Sequence, residues 1–189
     1  MAAGLAHLHR RALEATGRVV SGIGDEDWDA DSPCEGQTVR EVLNHLVAGN
    51  LWAAEVMAGR TIAEVGDRLD GDLLGVDPKA AYDESAVVAG AAFAGDGAMG
   101  RPVAVSYGPV PGEVYARHRF FDVFVHGWDL AKGTGQDTTL DPDLLAACAA
   151  AIEPDLDAFR RAGALGQPLP VADDADAQTR FLAQTGRRA

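Results

Sequence analysis

The chain is poor in several things, and each shortage removes a class of function. It has two cysteines, Cys34 and Cys148, in 189 residues, too few for a disulfide framework or a cysteine-built zinc cluster. Basic residues are outnumbered, with 16 Lys and Arg against 29 Asp and Glu and a formal net charge of −13. Such a field repels phosphate backbones and anionic lipid surfaces, so nucleic acid and membranes are not expected partners. No apolar run approaches the ~20 residues of a membrane helix. The first residues, MAAGLAHLHRR, lack the basic-then-apolar order of a signal peptide, and a cytoplasmic protein is expected. Aromatic residues are 6% of the chain, and no alternating strand pattern or glycine-rich phosphate loop occurs.

What is present is helical period with clear punctuation. Leu5, Leu8, Ala12, Val19, Val20 and Ile23 recur at spacings of three, four and seven, which predicts a helix over 2–23. Thr38-Val39-Arg40-Glu41 reads as a capping box. Val39, Val42, Leu43, Leu46, Val47, Asn50 and Ala54 follow on one face up to Gly59. Residues 60–77 are an acidic, glycine-spaced linker with one short turn. Asp77-Pro78 opens a third, alanine-rich helix to Ala94, since aspartate caps and proline suits the first turn. Glycines and Pro102 then break the chain, Val103–Val105 is a brief extended stretch, and Gly108-Pro109 and Pro111-Gly112 are turns. A fourth helix runs from Glu113 to Lys132. Asp141-Pro142 begins a fifth that Pro154 should kink or restart, and a short helix lies within 174–185. The expectation is all-α: one domain over 1–189, with a four-helix bundle over about 2–133 and a C-terminal helix and tail over 134–189.

Within the fourth helix, Val114, His118, Phe121, Val125 and Trp128 form the expected apolar face. Asp122 and His126 stand four apart on the adjoining ridge. A carboxylate and an imidazole so spaced can converge on one ion, and His45, two turns into the second helix, offers a third ligand. Two nitrogens and a carboxylate leave positions for water or substrate. On spacing alone the commoner outcome is a plain ion pair worth a few tenths of a kcal/mol, and both readings stay open at this point. His118 lies about 12 Å along the axis from His126 at 1.5 Å per residue, a distance that suits a substrate-facing role or a packed neighbour of Tyr115. His7 and His9, two apart, face different sides and read as structural. Cys34, just ahead of a helix, could have its thiol acidified by the helix dipole, although a small plug in the loop is the commoner role. Cys148 reads as packing.

Three segments carry a resemblance: Ser32-Pro33-Cys34-Glu35-Gly36, the run TVREVLNHLVAGN from Thr38 to Asn50, and VHGWDLA from Val125 to Ala131. They are similar to actinobacterial proteins related to the N-terminal domain of mycothiol-dependent maleylpyruvate isomerase, within the DinB-like metal-dependent superfamily. The ending, from Leu169-Pro170-Val171 to Arg187, resembles a single-domain subgroup. The resemblance implies a DinB-like four-helix bundle holding one divalent metal on His45, Asp122 and His126. The nitrogen and oxygen ligand set puts zinc first, with nickel, iron or manganese as alternatives. The resemblance also implies mycothiol as cosubstrate, and a transferase or isomerase reaction joining that small-molecule thiol to a small electrophile. Tyr115, His118 and Trp128 are near enough in sequence to line the mouth of the bundle, and Tyr115 and His118 are the candidate catalytic residues. A non-catalytic metal- or small-ligand-binding bundle is the alternative, and a homodimer is left open. The chain departs from the isomerase in two ways and from the subgroup in one. Asp122 stands where the isomerase pattern has Glu, Gln37 where the subgroup has Trp, and the residues after Lys132 are too few for the isomerase's C-terminal domain. Maleylpyruvate isomerase activity itself is therefore not carried over.

Overall fold

A computed structural model describes residues 2–189, with side chains from Gly4 onward. The chain divides into two compact units, 1–138 and 139–189. The first unit holds four long helices: α1 (Ala2–Ser21), α2 (Val39–Met57), α4 (Pro78–Ala94) and α5 (Gly112–Gly133), with a single short turn of helix, α3 (Ile62–Val65), between the second and third. Helix α1 packs on α4 and α5, and α2 packs on the same two, which closes a ring of four. The mainly α architecture expected from periodicity is present, and among the described residues no helix is long and apolar enough to cross a membrane.

Local chemistry explains the helix starts. The Thr38 hydroxyl accepts from the Glu41 amide at 3.3 Å, and the Glu41 carboxylate accepts from the Thr38 amide at 2.8 Å. Thr61 and Glu64 build the same reciprocal box ahead of α3, a start signal hidden inside what reads as linker. Asp77 caps α4 through the Ala80 amide. The buried face of α2 runs Val39, Val42, Leu43, Leu46, Val47, Asn50, Ala53, Val56 and Met57, so Ala53 rather than Ala54 continues it.

Two expectations need correction. Gly108–Pro111 is a strand, β2, paired antiparallel with β1 (Pro102–Val105) in the register Pro102 to Pro111 and Val105 to Gly108. Prolines read as turn residues, yet a two-stranded ribbon has two open edges where a missing N–H forfeits no ladder bond. Helix α5 is also not one-sided: Tyr115, Ala116, Arg119, Phe120, Val123, Phe124, Gly127 and Leu130 are buried as well as Phe121, Val125 and Trp128, whereas His118 is only partly covered.

The crossing of α1 and α5 depends on Gly127. A β-carbon there would stand 2.3 Å from Thr16 Oγ1, and that hydroxyl donates to the Val123 carbonyl at 3.1 Å. Alanine has the higher helix propensity by about 1 kcal/mol, but overpacking a close helix crossing costs about 1–3 kcal/mol. Gly127→Ala is therefore expected to lower the urea midpoint with an unchanged m-value. A raised midpoint would mean that the helices separate freely.

The second unit contains α6 (Pro142–Ile152), α7 (Leu156–Arg161) and α8 (Ala177–Gln184). Asp141 caps α6 through the amides of Asp143 and Leu144, and Pro154 interrupts it within a 3-10 turn before α7. Asp176 caps α8 through Thr179. The tail is tied back by Leu169 N–H to the Ala183 carbonyl at 2.9 Å and by Arg160 to the Gln184 carbonyl at 2.9 Å.

Candidate metal centre

The middle of α5 faces the second turn of α2. His45 Nε2 lies 3.2 Å from Asp122 Oδ1, and His126 Nε2 lies 3.5 Å from the same oxygen. The two imidazoles meet edge to face with centroids 5.0 Å apart. One donor atom from each of the three falls within 4.8 Å of the other two. Three side chains that are remote in sequence thus share one small space, at the spacing expected of α2 and α5 as bundle neighbours.

These separations can be tested against what a cation needs. Donors held about 2.0–2.1 Å from a tetrahedral centre lie about 3.3–3.4 Å from one another. The two carboxylate–imidazole separations bracket that value, and the nitrogen and oxygen donors suit a borderline divalent ion. The residues fit the group that the family resemblance implies. His45 is the solvent-facing member, with 48% of its side chain exposed against 17% for His126, so access is from the α2 side.

Two of the three ligand candidates, His126 and Asp122, have a partner behind them. His126 Nδ1 sits 2.8 Å from Asp129 Oδ2, a carboxylate with no exposed surface. With Nδ1–H donating there, the Nε2 lone pair is directed toward Asp122 and His45, the familiar way a buried carboxylate fixes a ligating histidine. Cys34 Sγ donates to the same Asp129 oxygen at 3.1 Å and stands 3.5 Å from His126 Nδ1. On the other flank, Arg119 Nη1 donates to Asp122 Oδ2 at 2.7 Å. Cys34, His126 and Asp129 are also close enough to be weighed as a metal-ligating group. Their contacts of 2.8–3.5 Å include two of ordinary hydrogen-bond length, and we read them as support for His126.

Cys34 reaches this position because its loop is knotted onto the start of α2. Asp31 bridges to Thr38, Ser32 Oγ donates to the Gln37 carbonyl at 2.8 Å, and the Cys34 amide donates to Ser32 Oγ at 3.2 Å. The thiol is thus more than the loop plug that its sequence context suggests.

The charges reinforce one another. Burial opposes ionisation of Asp122, but Arg119, His45 and His126 outweigh it and hold the carboxyl well below the usual carboxylate range. Burial likewise opposes the charged form of His126. The Asp122 hydrogen bond and charge, with Asp129 and Cys34, overcome this and raise its pKa well above the ordinary histidine value. A cation entering here therefore displaces a proton from His126.

The other candidate residues lie elsewhere. Tyr115 is buried in an apolar cluster with Ala53, Val56, Met57 and Phe93, its ring 5.8 Å from that of Phe93. His118, one turn ahead of Asp122, has its Nδ1 2.8 Å from the Tyr107 hydroxyl on the β1–β2 turn. His7 is exposed beside Arg10, and Cys148 is fully buried, its thiol pKa pushed up by that burial. Asp129 and Arg119 received no role from the sequence. The available signal was spacing: Asp129 follows His126 by three and Arg119 precedes Asp122 by three, the distances at which helix neighbours touch.

Comparison with known proteins places the fold and the family. Two uncharacterized proteins of Mycobacterium tuberculosis, one from strain CDC 1551 / Oshkosh and one from strain ATCC 25618 / H37Rv, are each 33% identical to this chain over 188 residues. Each match covers 95% of this chain and 97% of the relative. The crystal structure of the mycothiol-dependent maleylpyruvate isomerase superposes with a TM-score of 0.61 at 16% identity, covering 79% of this chain and 68% of that one. A histidine-to-alanine mutant of the isomerase gives 0.59 at 18% identity, covering 82% and 68%. At that identity the likeness concerns the fold. Residues 9–131, from within α1 to the last turn of α5, match the family described as the mycothiol maleylpyruvate isomerase N-terminal domain, and the chain belongs to that family.

Proposed function

We propose that this protein holds a divalent cation on His45, Asp122 and His126 and uses it to activate a low-molecular-weight thiol, mycothiol, for reaction with a small electrophile. The observation that supports this most is the donor set itself: two imidazole nitrogens face one carboxylate oxygen at 3.2 and 3.5 Å, backed by a buried carboxylate on the far side of His126. Zinc is the first choice of ion, with nickel, iron or manganese as alternatives for the same N/O ligands.

A cation in this position supplies the positive charge that lowers the pKa of a sulfhydryl presented to it, which matters because a free thiol near pKa 8.5 is mostly protonated at neutral pH. The protein does the rest with its own groups. Asp129 keeps the proton of His126 on Nδ1, Asp122 balances charge between the two imidazoles, and the exposed edge of His45 leaves the α2 side open to a ligand. His118, paired with Tyr107 one turn along the same ridge, is assigned to contact with the electrophile. Tyr115, enclosed among apolar side chains, is assigned to packing. The reading extends to a small-molecule thiol and electrophile as partners, a cytoplasmic location and a single functional domain over 1–189.

The test is conjugation of mycothiol to a generic electrophile by protein loaded with zinc, with and without chelator. Thiol consumption that chelator abolishes and re-added metal restores is the expected result. Tight zinc binding without turnover would leave a non-catalytic metal-binding bundle, and no zinc binding would remove the reading.

A further inference from the structure

The Asp122 carboxylate is held at both ends, and the two ends differ. Oδ1 faces His45 and His126. Oδ2 accepts from Arg119 Nη1 at 2.7 Å. Arg119 is itself buried, with 6% of its surface exposed, and its Nη2 donates to Asn50 Oδ1 at 3.2 Å. Asn50 is fully buried, and its Nδ2 donates to Ser85 Oγ at 3.1 Å. Ser85 Oγ then donates to the Tyr82 carbonyl at 2.8 Å. Each link pairs a named donor with a named acceptor, which orients the amide of Asn50 and the two terminal nitrogens of Arg119, while the buried Arg119 Nε has no hydrogen-bond partner among the described residues. The chain runs from α4 through α2 to α5 and ends on the carboxylate.

The backbone of α2 is shaped for the same guanidinium. A β-carbon on Gly49 would lie 2.2 Å from Arg119 Nη1 and 2.5 Å from its Cζ. The planar group therefore rests directly on the glycine, in the turn that carries Asn50 and one turn after His45. A fully hydrated surface arginine needs neither a glycine floor nor a buried amide partner. A buried ion pair used only for stability would be a poor choice, since desolvation offsets most of its attraction.

We propose that Arg119 is a positioning residue that fixes which oxygen of Asp122 is presented to the cation, by occupying Oδ2 and leaving Oδ1 between the two histidines. Arginine suits the task because its rigid fork serves the carboxylate and Asn50 at once, which a lysine point charge cannot. The inference rests on the cation reading above. It adds that metal affinity is governed by a buried chain reaching a second and a third helix.

Cobalt(II) titration of the full-length protein, followed by visible absorption, tests both ideas separately. In Arg119→Met the affinity should fall about 10–100-fold, the range for lost partners of metal ligands, with a changed cobalt spectrum. Arg119→Lys should recover part of the affinity. Gly49→Ala should also weaken binding and alter the spectrum, because the added methyl displaces the guanidinium while leaving its charge in place. Circular dichroism identifies the variants that fold, and if Arg119→Met does not, Gly49→Ala and Arg119→Lys decide. Parental affinity and spectrum in the folded variants would overturn the positioning role alone. A parent protein that takes up no cobalt would overturn the cation reading and this inference together.

Discussion

His126→Ala should yield a protein that retains no stoichiometric divalent cation after gel filtration, whereas the parent retains one per chain. His126 is the member of the trio with a job on each ring nitrogen: Nε2 faces Asp122 at 3.5 Å and Nδ1 faces Asp129 at 2.8 Å. Without it, His45 and Asp122 remain, and a half-exposed imidazole with one carboxylate cannot hold a cation against water. Asp129→Asn is the graded companion. The ring keeps a hydrogen-bond acceptor at Nδ1 but loses the buried negative charge, and affinity should fall about 10–100-fold rather than vanish. Elemental analysis of both variants, with circular dichroism to verify helicity, is the measurement. Parental metal content in His126→Ala would remove the three residues from consideration as a site. Stability should fall as well. The sequence suggests only a modest loss for a polar side chain in a cavity, but Asp129 is completely buried, and taking a donor from such a group costs about 1–3 kcal/mol.

Acid should destabilise the fold through a different histidine. His9 is fully buried on α1, its ring edge-to-face with Phe93 at 4.9 Å. Neither ring nitrogen has a hydrogen-bond partner among the described residues. Burial lowers its pKa from 6.5 to about 3, with the charge of Arg119 adding to the effect. In the unfolded chain the imidazole takes up a proton below about pH 6.5, while the folded chain refuses it until about pH 3. The stability that depends on the neutral ring is therefore whole above pH 6.5 and lost progressively as the pH falls toward 3, to a total on the order of 4–5 kcal/mol. His9→Leu removes the titrating group and should be near neutral or stabilising at pH 7, since a buried polar group without partners is costly. Urea unfolding at pH 7 and pH 4 should show the parent losing about 3 kcal/mol more than the variant over that interval. Parallel losses in the two proteins would show that His9 is hydrated or paired in solution.

Both predictions concern histidines, and the sequence separates them poorly. His9, two residues from His7 and so on a different helix face, reads as structural, which its burial agrees with. Nothing in that pattern indicates that the ring is left without a partner, because the space around it is enclosed by Phe93 from α4 and lies near the charge of Arg119 on α5. At His45, Asp122 and His126 the spacing on one helix allowed an ordinary surface ion pair as readily as a ligand pair. The resemblance of the TVREVLNHLVAGN and VHGWDLA segments tipped the balance, and the packing of α2 on α5 then placed the third side chain 3.2 Å from the second. Tyr115 and His118 were legible in the sequence only as neighbours of Asp122; packing turns Tyr115 into the cluster around Phe93 and pairs His118 with Tyr107 of the hairpin, one turn along the ridge from Asp122.

Helix limits, caps and the all-helical class were decided by the order of residues, because a capping box, a proline at the first turn or a glycine stop acts on backbone groups within a few positions of itself. The β1–β2 ribbon, the placement of Cys34 against Asp129, and the buried line from Ser85 through Asn50 and Arg119 to Asp122 were decided only by the folded chain. Each depends on which helix faces meet and how closely, and that is set by the packing of all four helices at once, through contacts such as Gly49 under Arg119 and Gly127 against Thr16.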